Sequence, residues 1–212
     1  MVTLDPVEAR VLGSLIEKEN TTPEYYPLTL NALVNACNQK SNRDPLVNYS
    51  EEDVEDALLR LREKRLSTVQ TGSRASKYGH RAVETLNLGR REVALVCELL
   101  LRGPQTLGEL RARAERMHNF SDLEEVEACL RGLMSREPDP LVTRLERHAG
   151  MKEPRYAHLL SGQPAINEDG PAAAAGSARG DRIAALEAEV VGLKDQMRRL
   201  EEQFERFRKQ FE

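Results

Sequence analysis

The chain has 212 residues, of which 31% are charged and 4% aromatic, and it contains no Trp. That length suits one large or two small domains, and the polar composition favours short helices over one thick core. With 31 basic against 35 acidic residues, the chain as a whole does not attract polyanions, so any contact with nucleic acid must be local.

A capping pattern marks the start of the first helix. Asp5 precedes Pro6, and Glu8 follows three residues after the aspartate, which is typical of a capping box with proline at the first helical position. The apolar residues that follow recur at helical spacing and predict one buried stripe, formed by Val7, Val11, Leu12, Leu15 and Ile16.

The remaining elements of residues 1–87 complete a small α+β unit. Ser50 and Asp53 predict the start of a third helix. Its apolar stripe consists of Val54, Leu58 and Leu61. A hairpin pattern, LSTVQTGSRASKYGHRA, follows this helix. Three helices followed by a two-stranded hairpin are typical of a winged helix, so we predict a first winged-helix domain over residues 1–87.

Residues 88–160 repeat this order of elements. Three segments of the first half have counterparts in the second: EARVLGSLIEK and EVALVCELLLR, YPLTLNALVNACN and GPQTLGELRARAE, SEEDVEDALLRLREK and SDLEEVEACLRGLMSR. Helix starts are predicted at Thr106 with Glu109 and at Ser121 with Glu124. The predicted fold class is therefore mainly α with small β-hairpins (α+β), built from two tandem winged-helix domains.

A linker and a coil are predicted after Leu160. Residues 161–180 are rich in Gly, Ala, Pro and Ser, which predicts a flexible linker. In residues 181–212 apolar positions alternate at steps of three and four, which predicts a C-terminal coiled-coil helix and a homodimer. The dimer seam consists of Ile183, Leu186, Val190, Leu193, Met197, Leu200 and Phe204. The alternative is an amphipathic helix that packs back on its own domains.

The two predicted hairpins carry basic residues that can contact the phosphates of DNA. These candidates are Arg74, Lys77 and Arg81 in the first hairpin and Arg144, Arg147 and Lys152 in the second. The third helix of the first half, which a winged helix commonly places in the major groove, is acidic in its first two turns, and phosphate would repel it. Those acids are Glu51, Glu52, Asp53, Glu55 and Asp56. The alternative for the hairpins is an ordinary solvated surface.

The segment NACNQKSNRDPLVNYS, between the second and third helices of the first half, is a candidate loop for binding a partner or ligand. Its residues Asn38, Gln39, Lys40, Asn42 and Arg43 combine hydrogen-bond donors and acceptors that suit base edges or the backbone of a protein partner. The alternative is that the Asn side chains stabilise the loop locally.

Motifs of catalysis, metal binding and export are missing from the sequence. It has no Gly-rich phosphate loop before a helix, no HExxH, no paired CxxC and no His spacing typical of metal ligands. It also has no signal-peptide pattern at its N-terminus and no run of 18 apolar residues. We therefore expect a cytoplasmic protein that is not an enzyme, holds no cofactor or metal, and makes no membrane contact.

The sequence resembles the YceH-like family of bacterial proteins in three segments. These are TTPEYYPLTLNALVNACNQKSNRDPLVNYSEEDVEDALLRLREKRL, VALVCELLLRGPQTLGELRARAERMHNFSDLEEVEACLRGL and PRYAHLLSG. The most specific motif is NACNQKSNRDP. The resemblance implies two winged-helix units and a bacterial cytoplasmic protein, and it transfers no catalytic residue.

Three hypotheses about function follow from these patterns. The first is a dimeric regulator that binds duplex DNA through basic wings, and the use that winged helices commonly serve places it narrowly ahead. The second is a protein-interaction adaptor that uses the acidic third helices and the Asn-rich loop. The third is an enzyme whose site carries no recognisable motif.

Overall fold

The computed structural model describes residues 2–71, 75–146 and 153–163. The described residues all belong to one compact unit, Met1–Pro164. The predicted coil, with its seam from Ile183 to Phe204, lies outside the described residues. About half of the described residues are helical and the strands form small antiparallel sheets, which confirms the α+β class.

The described elements alternate between helical groups and short strands. The helices are α1 (Pro6–Thr21), α2 (Leu30–Cys37), α3 (Glu51–Glu63), α4 (Ala82–Thr85), α5 (Arg90–Arg102), α6 (Leu107–Ala114) and α7 (Leu123–Met134), with a 3-10 turn at Pro23–Tyr25. The strands are β1 (Leu28–Thr29), β2 (Ser67–Thr71), β3 (Ser76–His80), β4 (Val142–Arg144) and β5 (Tyr156–His158). None of the described helices is long and apolar enough to cross a membrane.

Side-chain caps begin the helices where the sequence predicts them, with one exception. The capping boxes at Asp5, Ser50 and Thr106 are confirmed for α1, α3 and α6. The predicted cap of α7 is wrong by one residue, because Asp122, and not Ser121, accepts the hydrogen bond from the Glu125 amide at 2.8 Å. Aspartate caps a helix as well as serine does, so the two adjacent candidates could not be separated by residue type.

The two sheets differ in size. In the first, β3 pairs with both β2 and β1, and Val69 lies opposite Tyr78. In the second, β4 pairs with β5, and Gln105 forms an isolated antiparallel bridge with Tyr156 of β5. Strand β1, which has only two residues, was not predicted, because so short a segment shows no alternation of apolar and polar side chains.

Helix α1 is buried along most of its length because it packs against elements from both halves of the sequence. It contacts α2 and α3 on one side and α5 on the other, so residues from Glu8 to Glu17 are all buried. Gly13 permits the close approach of α5, since a Cβ there would lie 2.9 Å from Leu101. One continuous core therefore links residues before and after position 87, while the predicted domain boundary at that position stays a prediction.

Candidate functional site

The first hairpin exposes two of its three predicted basic residues. Lys77 and Arg81 are exposed, and Arg74 lies outside the described residues. Lys77 pairs with Gln70 across β2 and β3, next to the Val69–Tyr78 pair. Because successive side chains of a strand point to opposite faces, Lys77 and Tyr78 lie on opposite faces of the sheet.

His80, at the end of the first hairpin, is used inside the protein. Its Nε2 lies 2.8 Å from Oε2 of Glu19, and its Nδ1 accepts a hydrogen bond from the Ala82 amide at 3.2 Å. Burial lowers the pKa of His80, although the Glu19 carboxylate opposes this effect. The imidazole therefore joins α1 to the sheet and has no nitrogen left for a phosphate.

In the second hairpin only Arg144, of the three predicted residues, is described, and it is exposed on β4. Arg147 and Lys152 lie outside the described residues. The neighbouring Arg155 is held within the chain, because it donates to the Pro104 carbonyl at 2.8 Å and lies 3.3 Å from the Glu109 carboxylate.

The outer face of α3 is acidic and carries an exposed leucine. All five acids of its first two turns are exposed: Glu51, Glu52, Asp53, Glu55 and Asp56. Leu59 lies on the same side of the helix and is 52% exposed, which is unusual for a large apolar side chain.

Arg60 of α3 and Lys64, which caps the end of this helix, are directed at the start of α1, so they do not neutralise the acidic face. Arg60 lies 3.0 Å from Asp5, and Lys64 lies 2.6 Å from the buried Glu8. These ion pairs hold α3 on the core and leave the exposed acids without those two cations.

A cleft of about 260 Å³ runs between α3 and the first sheet, and we call it the acidic cleft. It is lined by Glu55, Asp56, Leu58, Leu59, Arg62, Ser67, Thr68, Val69 and Tyr78. Leu58, Val69 and Tyr78 form apolar walls, and Ser67 and Thr68 line the cleft beside them. Two carboxylates against one guanidinium give the cleft a net negative charge.

The predicted partner loop is largely tied to its own protein. The Asn38 side chain forms two hydrogen bonds of 2.8 Å with the backbone of Tyr49, and Asn42 accepts a hydrogen bond from Arg102. Asn38 and Asn42 therefore stabilise the structure of their own chain, as the alternative interpretation of this loop predicts. Lys40 is exposed and Gln39 half-buried, and their role in binding stays a prediction.

Arg43 is the one buried residue among the five that were predicted to bind a partner. It is buried, its Nη2 lies 2.5 Å from Oε2 of Glu17, and its Nε and Nη2 donate to the Ala36 carbonyl at 3.1 and 2.9 Å. Burial raises the pKa of Glu17, but the hydrogen bond and charge of Arg43 outweigh this and lower it below its usual value. The guanidinium therefore fixes the loop to α1 and α2.

An ion network that the sequence did not reveal extends from this pair to α5. Arg116 lies 3.0 Å from the second oxygen of Glu17 and 3.8 Å from the buried Glu98, which Arg102 approaches to 3.1 Å. Burial raises the pKa of Glu98, while Arg102 and Arg116 oppose the rise. Glu98 and Arg102 lie one turn apart on α5, but Glu17 and Arg116 are 99 residues apart, and only the fold brings them together.

No group of three or more His, Cys, Asp or Glu side chains within the described ranges could hold a metal ion. The expectation that the protein uses no metal or cofactor stays a prediction.

Comparisons with known proteins assign the chain to a family. A family profile described as "Protein of unknown function, DUF480" matches residues 4–151. The UPF0502 protein of Pelobacter propionicus is 54% identical over 99% of this chain and 98% of its own length. That of Solibacter usitatus is 53% identical over the same shares, and that of Geotalea uraniireducens 54%. The chain belongs to the DUF480/UPF0502 family of bacterial proteins.

Proposed function

We propose that the protein is a non-enzymatic adaptor that binds a segment of a protein partner in the acidic cleft. The observation that carries this proposal is the exposed Leu59 beside Glu55 and Asp56, at the rim of a cleft with apolar walls. Exposed apolar side chains surrounded by polar ones are typical of protein interaction surfaces.

The same surface is unfavourable for duplex DNA. A helix that enters the major groove brings its exposed side chains close to phosphates, and five exposed carboxylates in the first two turns of α3 would be repelled. Charge complementarity instead favours a segment in which Lys or Arg flanks one large apolar residue. That residue would fill the space between Leu59 and Tyr78, and its basic neighbours would meet the acids.

The order of the elements supports the more detailed architecture, which we also propose. Helices α1 to α3 precede the β2–β3 hairpin, and α5 to α7 precede the β4–β5 hairpin, as expected for tandem winged helices of the YceH-like type. We also propose a homodimer formed by the C-terminal coil. The double substitution Leu186→Asp with Leu193→Asp should halve the mass measured by sedimentation, and an unchanged mass would contradict the dimer.

Selection of peptides from a random displayed library on the full-length chain tests the adaptor proposal. We expect the selected peptides to carry a large apolar residue next to Lys or Arg. Calorimetry should show that Leu59→Ala weakens their binding at least about tenfold, as expected for a central anchor. The control is Leu123→Ala, because Leu123 on α7 is 45% exposed but lies outside the cleft. Binding that is indifferent to Leu59 would refute the proposal.

Binding of duplex DNA through the hairpins is the second candidate function. The exposed Lys77, Arg81 and Arg144 favour it, and the face of Lys77 lies opposite the face of Tyr78 in the acidic cleft. The two surfaces are therefore separate, and a cytoplasmic regulator could use both.

A further inference from the structure

A second cleft, of about 280 Å³, lies where the first and second halves of the sequence meet, and we call it the junction cleft. Its walls come from α1, the loop between α2 and α3, the end of α5 and strand β5. Its apolar lining includes Ala9, Val47, Leu99, Leu100 and Ala157. The polar side chains in its lining include Arg10 and His158.

Arg10 is a buried cation without an acidic partner. It is only 4% exposed, and no carboxylate of the described residues lies within 4.0 Å of its guanidinium. Its Nη1 donates to the Cys37 carbonyl at 3.1 Å and its Nη2 to the Pro45 carbonyl at 2.6 Å, while its buried Nε has no hydrogen-bond partner. Asp44 also lines the cleft, but it is exposed and beyond ion-pair distance.

The surroundings of Arg10 compensate its charge only in part. The end of α2 presents carbonyl groups with a partial charge of about −0.5, and Arg43 shares them through Ala36. Burial lowers the pKa of Arg10 and the like charge of Arg43 adds to this effect, while the more distant charge of Asp44 opposes it. A buried charge is costly unless it is paired, so the site retains an unmet demand for an anion.

His158 adds a second unpartnered group to the same cleft. Its Nδ1 is buried and has no hydrogen-bond partner among the described residues. Burial lowers the pKa of His158 to about 4, so the ring is neutral near pH 7 and offers one donor and one acceptor without an opposing charge.

We propose that the junction cleft binds a small organic anion, a carboxylate or phosphate monoester on a compact apolar body, with the anionic group on Arg10. The apolar body would contact Leu99, Leu100 and Ala157, and His158 would hydrogen-bond a polar atom of the ligand. The volume lies near the lower end of ligand pockets, which begin at about 300 Å³, so the ligand is compact. It would touch both halves of the sequence at once.

The test uses the full-length chain and defined probes. Benzoate, isovalerate, phenyl phosphate and inorganic phosphate are titrated at constant ionic strength while the melting temperature and the arginine Nε–H resonances are recorded. Benzyl alcohol serves as the neutral analogue of benzoate. We expect at least one anion with an apolar body to raise the melting temperature saturably and to shift the Arg10 Nε–H resonance, because a ligand that binds only the folded state stabilises it.

Two variants keep the test decisive. Arg10→Met should weaken binding of the effective anion at least about tenfold, since it removes a charge-assisted hydrogen bond. Ser161→Trp should also weaken it, because Ser161 is exposed and lines the cleft, so a larger side chain blocks it without touching the core. Arg81→Met is the exposed control and should bind as the parent does. If none of the four anions acts saturably, or if benzyl alcohol equals benzoate, the proposal is wrong.

Discussion

The acidic cleft and the junction cleft have nearly the same volume, about 260 and 280 Å³, but a different balance of charge, since two carboxylates and one guanidinium line the first and Arg10 and Asp44 line the second. The acidic cleft presents the exposed carboxylates of Glu55 and Asp56, so it suits a basic segment. In the junction cleft the buried Arg10 has no carboxylate of the described residues within ion-pair distance, so the cleft suits an anion. The charge that stays unpaired in each cleft, and not the volume of the cleft, therefore indicates the class of its occupant.

The largest effect should come from breaking the buried ion pair between Arg43 and Glu17. Arg43→Met leaves Glu17 buried with Arg116 as its remaining cation. We expect the free energy of unfolding to fall by about 3 kcal/mol or more, because removal of one partner strands a buried charge. Urea unfolding measures it. A loss below about 1 kcal/mol would mean that Arg43 contributes no more to the free energy of unfolding than Arg10 does.

A smaller effect should follow from the titration of His158. Its pKa in the folded protein is lowered from 6.5 to about 4, so the unfolded chain takes up the proton first as the pH falls. The stability that the neutral ring contributes is therefore present above pH 6.5 and is lost between pH 6.5 and 4, by up to roughly 3 kcal/mol. Unfolding curves across this range, compared with those of His158→Gln, measure it. Equal pH dependence in both proteins would contradict the burial of the ring.

Arg10→Met should lower the free energy of unfolding much less than Arg43→Met does. It removes two hydrogen bonds to carbonyls, which is unfavourable, and an unpaired buried charge, which is favourable. We expect the two to offset each other to within about 1 kcal/mol in the free energy of unfolding without ligand. A loss as large as that of Arg43→Met would show that Arg10 serves folding and not binding.

The smallest effect concerns the β2–β3 hairpin, whose basic residues form a third candidate binding surface. If it binds duplex DNA, replacing Arg74, Lys77 and Arg81 together by Ala should shallow the slope of log affinity against log salt by up to about three units. Fluorescence anisotropy with a mixed-sequence duplex measures the slope, and the exposed Arg62→Ala is the single-charge control on α3. An unchanged slope would remove the hairpin from any DNA contact.

Much of the fold could be predicted from local signals. The caps at Asp5, Ser50 and Thr106 each involve residues only three positions apart, so these helix starts could be recognised in the sequence. The burial of α1 on several sides could not be predicted, because its apolar stripe indicates only one buried face. The packing of α5 on another face of α1 depends on residues about 80 positions away.

The candidate sites were less predictable than the fold. The acids of α3 were recognised, but the exposure of Leu59 depends on how the first sheet closes against the helix. Arg10 sits in the polar part of a helical pattern, where an exposed side chain is the usual expectation. Asn42 and Arg43 were expected to face a partner, yet they contact Arg102 and Glu17, at sequence distances of 60 and 26 residues.

The most direct test of the central claim, that the acidic cleft binds a basic protein segment, is a charge reversal in the full-length chain. Affinities for a selected peptide and for a mixed-sequence duplex are measured at physiological salt in the parent and in Glu55→Lys with Asp56→Lys. We predict that the peptide binds the parent more tightly than the duplex does and loses at least about tenfold on reversal, because attraction becomes repulsion. If the peptide affinity is unchanged, or if the duplex binds the parent more tightly than the peptide, the acidic cleft is not a site for a protein segment.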